Sequence, residues 1–433
     1  MALQQLKMLR RWLSHNTTDK YTDERNITVL YIELIFASFL SVAASFNGAF
    51  ILRLGGSNAL VGLLSSVPAL LAAIVYLPSA RILERKARMM PYLIGSLTLA
   101  RIGYVVLAIM PFILNRFLPE VTAAVLVAMT AFSAFFATAW SPLFADIIPV
   151  RSRSTVISWR AILSSLTIAP LVFLAGRWLV SVRFPLNYQL LYVFGCVGGA
   201  ISIYLVSRLR LPHKNFPAPR PQERQTGMYK DIIRMVRHNP MFGRIMLNTF
   251  LLSFGAWMTG PLYIILYVRQ LGASDGWLGL VNTLAYIGVI LGYWLWRRII
   301  RRTGEARTLL IALPLVCMFP FMVALVPNLT FILFAAFIIN AVSPGVDLSH
   351  SVIWYSLLPP GSKYTATALY SATMNVGACI APLIGVAIAN LIGIIPTLLI
   401  GGTLRLMGAA MFYLFPLHPA VEEPPLISPA SEV

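Results

Sequence analysis

The chain contains the same eleven-residue segment twice, and this repeat limits the folds available to it. Residues 54–64 read LGGSNALVGLL and residues 271–281 read LGASDGWLGLV, with five identical positions and no gap. The two copies lie 217 residues apart in a chain of 433, so each occupies the same place in one half. A second pair, IAPL at 168–171 and at 380–383, recurs at an offset of 212. The chain is therefore predicted to consist of two parallel copies of one unit.

The composition places this duplicated unit in a membrane. Hydrophobic residues make up 58% of the chain and charged residues only 11%, whereas soluble domains are about 25% charged. Apolar runs of about 20 residues cross the hydrocarbon layer as helices, and the chain has twelve, which predicts an all-α polytopic membrane protein of two six-helix halves. The runs are 27–52, 58–80, 91–114, 121–145, 155–179, 188–208, 243–268, 276–299, 308–326, 329–356, 364–391 and 395–415.

The basic residues predict the orientation. If the N-terminus is cytoplasmic, 26 of the 34 lysines and arginines fall in cytoplasmic segments, which is the bias that the positive-inside rule describes. We therefore expect both termini in the cytoplasm and the protein in the cell membrane. The net charge of +19 then reflects topology and contact with anionic lipid headgroups, and it does not predict nucleic-acid binding, because the charges are dispersed between spans.

The segments between and beyond the spans complete the predicted organisation. Residues 1–26 interleave leucines with basic side chains, as an amphipathic cytoplasmic helix does. Residues 27–208 form the first half, 209–242 a proline-containing cytoplasmic linker, and 243–415 the second half. Residues 416–433 have no apolar period and are expected to be a disordered cytoplasmic tail.

Six plus six spans, a long cytoplasmic linker and a basic hairpin after spans two and eight together resemble the major facilitator superfamily. The family's hairpin motif is Gly-x-x-x-Asp-Arg/Lys-x-Gly-Arg-Arg/Lys, and Ala80, Glu84, Arg85, Ala87 and Arg88 occupy the corresponding places. Alanine replaces both glycines and glutamate replaces the aspartate. The chain thus looks like a divergent, bacterial-type member.

The resemblance implies a secondary active transporter that moves a small solute by rocking its two halves about a site near the midplane. The chain has no Gly-x-x-x-x-Gly-Lys-Ser/Thr segment for nucleotide binding, so the energy is expected to come from a gradient, with protons as the coupling ion. An uncoupled facilitator and a non-transporting receptor on the same fold remain alternatives. An enzyme, a cofactor and a metal are not expected, and the protein is predicted to be a monomer.

Ionisable side chains at membrane depth are the coupling candidates, because each costs about 2.5–3.5 kcal/mol on insertion scales and needs a compensating role. Asp347 and His350 are one turn apart on span ten, where they could share a proton, and Glu33 lies on span one. Structural alternatives are an Asp347–His350 pair that only ties helices together and an ion pair between Glu33 and Arg160. Arg101 and Arg405 are on spans three and twelve, which are peripheral in the resembling family, and buried ion-pairing or snorkelling is expected of them rather than substrate contact.

Polar residues on spans that line the central cavity in the resembling family are the substrate-site candidates. Hydrogen bonding between helices is an equally good explanation for the asparagines among them. They are Asn47, Asn248, Asn340, Ser343 and Trp354.

Charged residues at the cytoplasmic ends of the spans are candidates for a gate between the halves. The resemblance implies that the hairpin charges pair across the halves when the cytoplasmic side is closed, although such charges can also serve only to fix the topology. The gate candidates are Glu84, Arg85, Arg88, Asp146 and Arg160.

Overall fold

The computed structural model describes residues 19–84, 90–114, 116–148, 150–210, 239–357 and 363–415. Within these ranges the protein is built of helices, and eleven of them are long and apolar enough to cross a membrane, with a shorter apolar segment at Asn58–Ala72. Each predicted span overlaps the helix or helix pair described below. Arg85, Arg88 and most of the predicted N-terminal, linker and tail segments lie outside the described residues.

The spans follow one another as six in each half. In the first half they are Asp19–Ala44 with Asn47–Arg53 (span one), Asn58–Glu84 (two), Met90–Ile113 (three), Leu118–Ile147 (four), Val150–Ser181 (five) and Leu186–Ser207 (six). In the second half they are Pro240–Ile265 with the π-helix Leu266–Gln270 (seven), Asp275–Thr303 (eight), Glu305–Cys317 with Phe319–Leu325 (nine), Leu329–Ser356 (ten), Lys363–Ile392 (eleven) and Ile394–Leu414 (twelve).

The repeated segment forms the same turn in both halves, between spans one and two and between spans seven and eight. Gly55 and Gly272, which are equivalent in the repeat, both have positive φ angles, of 85° and 63°. Glycine adopts this conformation without the steric cost of a side chain. Ser57 and Ser274 are also equivalent, and their hydroxyls accept hydrogen bonds from the backbone N–H three residues later, at 3.3 and 3.2 Å. These identities are therefore explained by local structure: a left-handed turn followed by a serine at the start of a helix.

In the described part of the chain, the apolar core is shared between the halves at one end of the bundle. We call the end that carries the two repeated segments the repeat end, and the opposite end, near residues 19 and 415, the terminal end. At the repeat end one buried cluster contains residues of both halves, including Phe50 and Tyr192 from the first and Leu262 and Leu398 from the second. Toward the terminal end, the described residues form two separate clusters, one in each half. The halves are thus packed together at the repeat end.

Candidate functional site

Two arginines join the halves reciprocally at the repeat end, an arrangement that we call the arginine clasp. Arg53 Nη2 donates to the Ala273 carbonyl at 2.7 Å and lies 3.4 Å from Asp275 Oδ1. Arg269 Nη2 donates to the Gly56 carbonyl. Gly56 and Ala273 are equivalent positions of the repeat, so each copy accepts a hydrogen bond from the opposite half. Neither arginine was among the residues proposed from the sequence.

The two clasp arginines do not occupy equivalent positions in the two halves: Arg269 is one residue further from its repeat copy than Arg53 is. Arg53 comes two residues before the positive-φ glycine Gly55, and Arg269 comes three residues before Gly272. The π-helix Leu266–Gln270 lies at this place in span seven. A π-turn holds one residue more than an α-turn, so it accounts for the shifted position and lets both arginines reach equivalent carbonyls.

Close helix crossings support the clasp at the same end. Gly176 of span five and Gly279 of span eight face each other, and a β-carbon on Gly279 would lie 2.8 Å from Gly176 Cα. Thr283 of span eight also donates to the Ala169 carbonyl of span five at 3.1 Å. Such small residues allow helix backbones to approach closely inside a membrane. The repeat end is therefore closed by tight packing as well as by polar contacts.

A cavity of about 660 Å³ lies between the two halves, and its lining includes Tyr267 and Leu278 from the segments around the second repeat copy. Its volume falls in the range of small-molecule sites. Spans one to four of the first half and spans seven and eight of the second half contribute to its wall. Most lining residues are apolar or aromatic, and the polar ones include Ser45, Asn47, Arg101, Tyr104 and Asn282.

Arg101 is the one charged side chain among the residues that line this cavity. It is the twelfth of 24 residues in span three, and only 8% of its surface is exposed. Its guanidinium donates to the Gly199 carbonyl and, through Nη2, to Ser202 Oγ at 3.0 Å. Arg101 is buried, as expected, and it also lines the cavity, which the peripheral place of span three in the resembling family did not indicate. Its position halfway along an apolar span was the available signal.

Glu33 lies behind this wall and connects two arginines. Ser202 Oγ donates to Glu33 Oε1 at 2.5 Å, and Arg160 Nη2 lies 3.6 Å from Glu33 Oε2. Arg160 also donates to the Leu30 carbonyl at 2.7 Å, and its guanidinium lies 5.5 Å from the centre of the Trp140 ring. The ion pair considered for Glu33 and Arg160 is thus present, and it lies within the first half and does not bridge the two halves.

Asp347 and His350 make separate contacts. Asp347 is exposed. It lies nine residues, or about 2.5 turns, after Ile338, so it is on the face of span ten opposite this exposed apolar side chain. The His350 Nε2 atom lies 2.7 Å from Thr249 Oγ1 of span seven. No hydrogen bond or ion pair joins Asp347 to His350 in the described part of the chain.

Of the substrate-site candidates, Asn47 lines the cavity, and its Oδ1 accepts a hydrogen bond from the Tyr192 hydroxyl at 3.2 Å. Asn248 is buried and donates to the Met411 carbonyl at 3.2 Å, which joins spans seven and twelve away from the cavity. Asn340 donates to the Ala336 carbonyl of its own helix, and Ser343 donates to the carbonyl of Asn340. None of these three contributes to the cavity wall.

The remaining candidates lie nearer the terminal end. Trp354 stacks near Tyr370, with ring centres 4.0 Å apart, inside the core of the second half. Glu84 ends span two and Asp146 lies in span four, but the positions of their side chains are not described. The proposed gate pairs therefore stay predictions.

Comparisons with known proteins agree on one family. The sequence model of the Major Facilitator Superfamily matches residues 245–431. The solved structure of a point mutant of the nucleoside transporter NupG superposes with a TM-score of 0.69 at 13% identity, over 90% of this chain and 100% of that one. Residues 245–431 are therefore similar in sequence to the Major Facilitator Superfamily, and the chain shares its fold with NupG. The similarities found are to transporters and not to enzymes.

Other superfamily structures extend the same match over both halves. The xylose transporter XylE from E. coli gives a TM-score of 0.64 at 13% identity, over 92% of this chain and 98% of that one. A POT family transporter in complex with a thioalcohol-conjugated peptide gives 0.69 at 12% identity, over 90% and 96%. No curated protein sequence matches the chain. At these identities the structures establish the superfamily's fold of twelve spans in two halves, and leave the substrate open.

Proposed function

We propose that the protein is a secondary active transporter of the cell membrane that carries a small solute by alternating access. The observation that carries this proposal is the cavity between the halves, which the arginine clasp and the Gly176–Gly279 crossing close at one end. A carrier needs such a site, with access from one side at a time. With both termini in the cytoplasm, as the distribution of basic residues favours, the terminal end is cytoplasmic and this conformation faces inward.

Protons are the proposed coupling ion, and Asp347 is the proposed proton-binding group. Asp347 is exposed on the face of span ten opposite Ile338, and no ion pair holds it among the described residues. Glu33, by contrast, is held by Ser202 and Arg160. An ionisable group at membrane depth without a charged partner is a functional candidate. A carboxylate free to bind and release a proton is better suited to coupling than one fixed in an ion pair.

Locking the repeat end tests alternating access. Asn58 Nδ2 and Asn390 Oδ1, from opposite halves, lie 3.3 Å apart. Asn58→Cys with Asn390→Cys, in a protein whose three native cysteines are replaced by alanine, can be joined by a short reducible crosslinker. Flux is measured in proteoliposomes for nucleosides, xylose, dipeptides and organic acids. We expect crosslinking to stop the flux and reduction to restore it.

A matched crosslink within one half is the control. Thr303 and Thr308 have hydroxyls 2.8 Å apart at the junction of spans eight and nine, so the same reagent on cysteines there does not tie the halves together. This second crosslink should leave the flux unchanged. A protein that carries none of the solutes, or whose flux survives the Asn58–Asn390 crosslink, contradicts the proposal and favours a receptor.

A further inference from the structure

Among the described residues, the charged group at the cavity wall contains one more arginine than carboxylates. The side chains of Arg101, Arg160 and Glu33 form one connected group through Ser202. Glu33 is the only carboxylate in this group, and Arg160 is its ion-pair partner at 3.6 Å. The partners of Arg101 are a carbonyl and a hydroxyl, both uncharged. The group therefore has an excess of one positive charge.

This excess charge lies where a solute would bind. Arg101 is halfway along a membrane span and lines the cavity, whereas Glu33 and Arg160 are not among the lining residues. An arginine in a low-dielectric environment is costly without an anion nearby. Its planar guanidinium also suits carboxylate and phosphate oxygens geometrically.

Asn47 presents further hydrogen-bond donors to the same cavity. Because its Oδ1 already accepts from the Tyr192 hydroxyl, the amide nitrogen is the atom left to interact with a ligand. The remaining wall is largely apolar and includes Leu64, Leu126, Met129 and Leu278. The cavity thus combines donors for one acidic group with a surface for an apolar body.

We propose that the substrate is a small organic anion, with one acidic group bound by Arg101 and Asn47 and an apolar body packed in the rest of the cavity. This inference rests on the proposed function, since it names the substrate class of the same cavity. Carboxylates and phosphate monoesters share the required chemistry, and the experiment separates them.

Equilibrium binding of charge-matched probes tests the proposal. The probes are 1-naphthoate, 1-naphthyl phosphate, the neutral 1-naphthamide and the cationic 1-naphthylmethylammonium, and the readout is tryptophan fluorescence of the purified protein. We expect at least one anion to bind ten or more times more tightly than the amide and the cation. The tighter of the two anions identifies the acidic group. Binding of neither anion, or equal binding of the amide, overturns the proposal.

Substitutions assign the preference to Arg101. Arg101→Gln should reduce anion affinity tenfold or more and leave amide affinity unchanged, and Arg101→Lys should retain part of the preference. Arg405→Gln is the matched control, because Arg405 is another intramembrane arginine but does not line the cavity. An equal loss of anion affinity in Arg405→Gln and Arg101→Gln contradicts an anion site at Arg101.

Asn47→Asp provides a second test, which does not depend on the folding of the Arg101 variants. Aspartate keeps the oxygen that accepts from Tyr192, but places a negative charge in the cavity wall that Arg101 also lines, so the anion preference should disappear. Its persistence contradicts the proposal. Binding is measured without transport, so the two proposals can fail separately. Anion binding without flux would refute the transporter alone. Flux of neutral solutes that is the same in the wild type and the Arg101 variants would refute the anion site alone.

Discussion

Glu33 links two other side chains of the first half, Ser202 and Arg160. It is 6% exposed, it receives the Ser202 hydroxyl hydrogen bond, and it balances the charge of Arg160. Removing one member of a buried ion pair leaves the other charge without compensation, which costs about 3–5 kcal/mol. Glu33 is therefore better understood as a stabilising residue of the first half than as the coupling site.

Glu33→Gln should destabilise the protein by about 3 kcal/mol, because glutamine keeps the shape of the side chain but leaves two arginines without a carboxylate. Thermal unfolding of the purified protein measures the loss. The double variant Glu33→Gln with Arg160→Met removes one of the unpaired charges and should recover part of the stability. A double variant no more stable than the single one would show that charge balance is not the cause.

Asp347→Asn should abolish uphill transport and leave counterflow exchange, since exchange needs no net proton movement. The asparagine keeps the side-chain volume but cannot ionise. Both activities are measured in the same proteoliposomes and normalised to folded protein. Asn340→Ala, on the same helix face, is the control and should affect neither activity strongly, because its amide bonds within its own helix. Parallel loss of exchange and uphill transport in Asp347→Asn would assign Asp347 a structural role.

At the scale of elements, the crossing of spans five and eight sets how closely the halves approach. Each glycine, Gly176 and Gly279, leaves no room for a β-carbon: a methyl group on either would lie within 3 Å of the opposite backbone. Backbone atoms cannot move aside as a flexible side chain can. The crossing therefore determines the distance between the two halves, and it does not involve the packing within either half.

Gly279→Ala should weaken closure at the repeat end, because the added methyl forces spans five and eight apart. A cysteine introduced at Ser45, in the cavity wall, should then react faster with a membrane-impermeant maleimide added from the repeat end. Gly62→Ala is the control from the equivalent repeat position: its nearest neighbour, at 3.1 Å, is the Val386 side chain, which can shift. Equal labelling rates in the wild type and Gly279→Ala would show that the crossing does not control closure.

For the molecule as a whole, the arginine clasp links the duplicated sequence to the proposed transport cycle. Each arginine binds the carbonyl of the equivalent residue in the other half, so the two bonds break together when the halves separate at this end. The Arg53–Asp275 ion pair is partly exposed, since 33% of the arginine side chain is accessible, and exposed pairs contribute only about 0–1 kcal/mol. The bonds to the buried carbonyls are the larger contribution.

The double variant Arg53→Gln with Arg269→Gln should shift the protein toward the state open at the repeat end. A hydrogen bond to a charged donor contributes about 1.5–3 kcal/mol, so the population ratio should change tenfold or more for each arginine. Distances between spin labels on the two halves at this end measure the shift. Arg116→Gln with Arg183→Gln removes the same charge from the same end and should leave the distances unchanged. Identical distance distributions for both double variants would refute the clasp.

The sequence alone determined the membrane fold, the number of spans and the two-half repeat. Hydrophobic length decides which segments cross a bilayer, and each predicted run overlaps an observed helix or helix pair. The repeat was visible because its shared residues have local roles: Gly55 and Gly272 form the left-handed turn, and Ser57 and Ser274 begin the next helices. Such roles depend on neighbours along the chain and can be read from it.

Only the tertiary structure decided which way the polar side chains face. A span that is apolar on all sides gives no signal for its rotation about its own axis, which is set by packing against neighbouring helices. Asn47 and Asn248 look alike in the sequence, yet one lines the cavity and the other binds the backbone of span twelve. Arg101 was expected to be buried in an ion pair or to snorkel, and the fold places it in the cavity wall. Arg53 and Arg269 meet carbonyls more than 200 positions away. These contacts form between distant segments when the two halves pack, so the local pattern around each residue does not contain them.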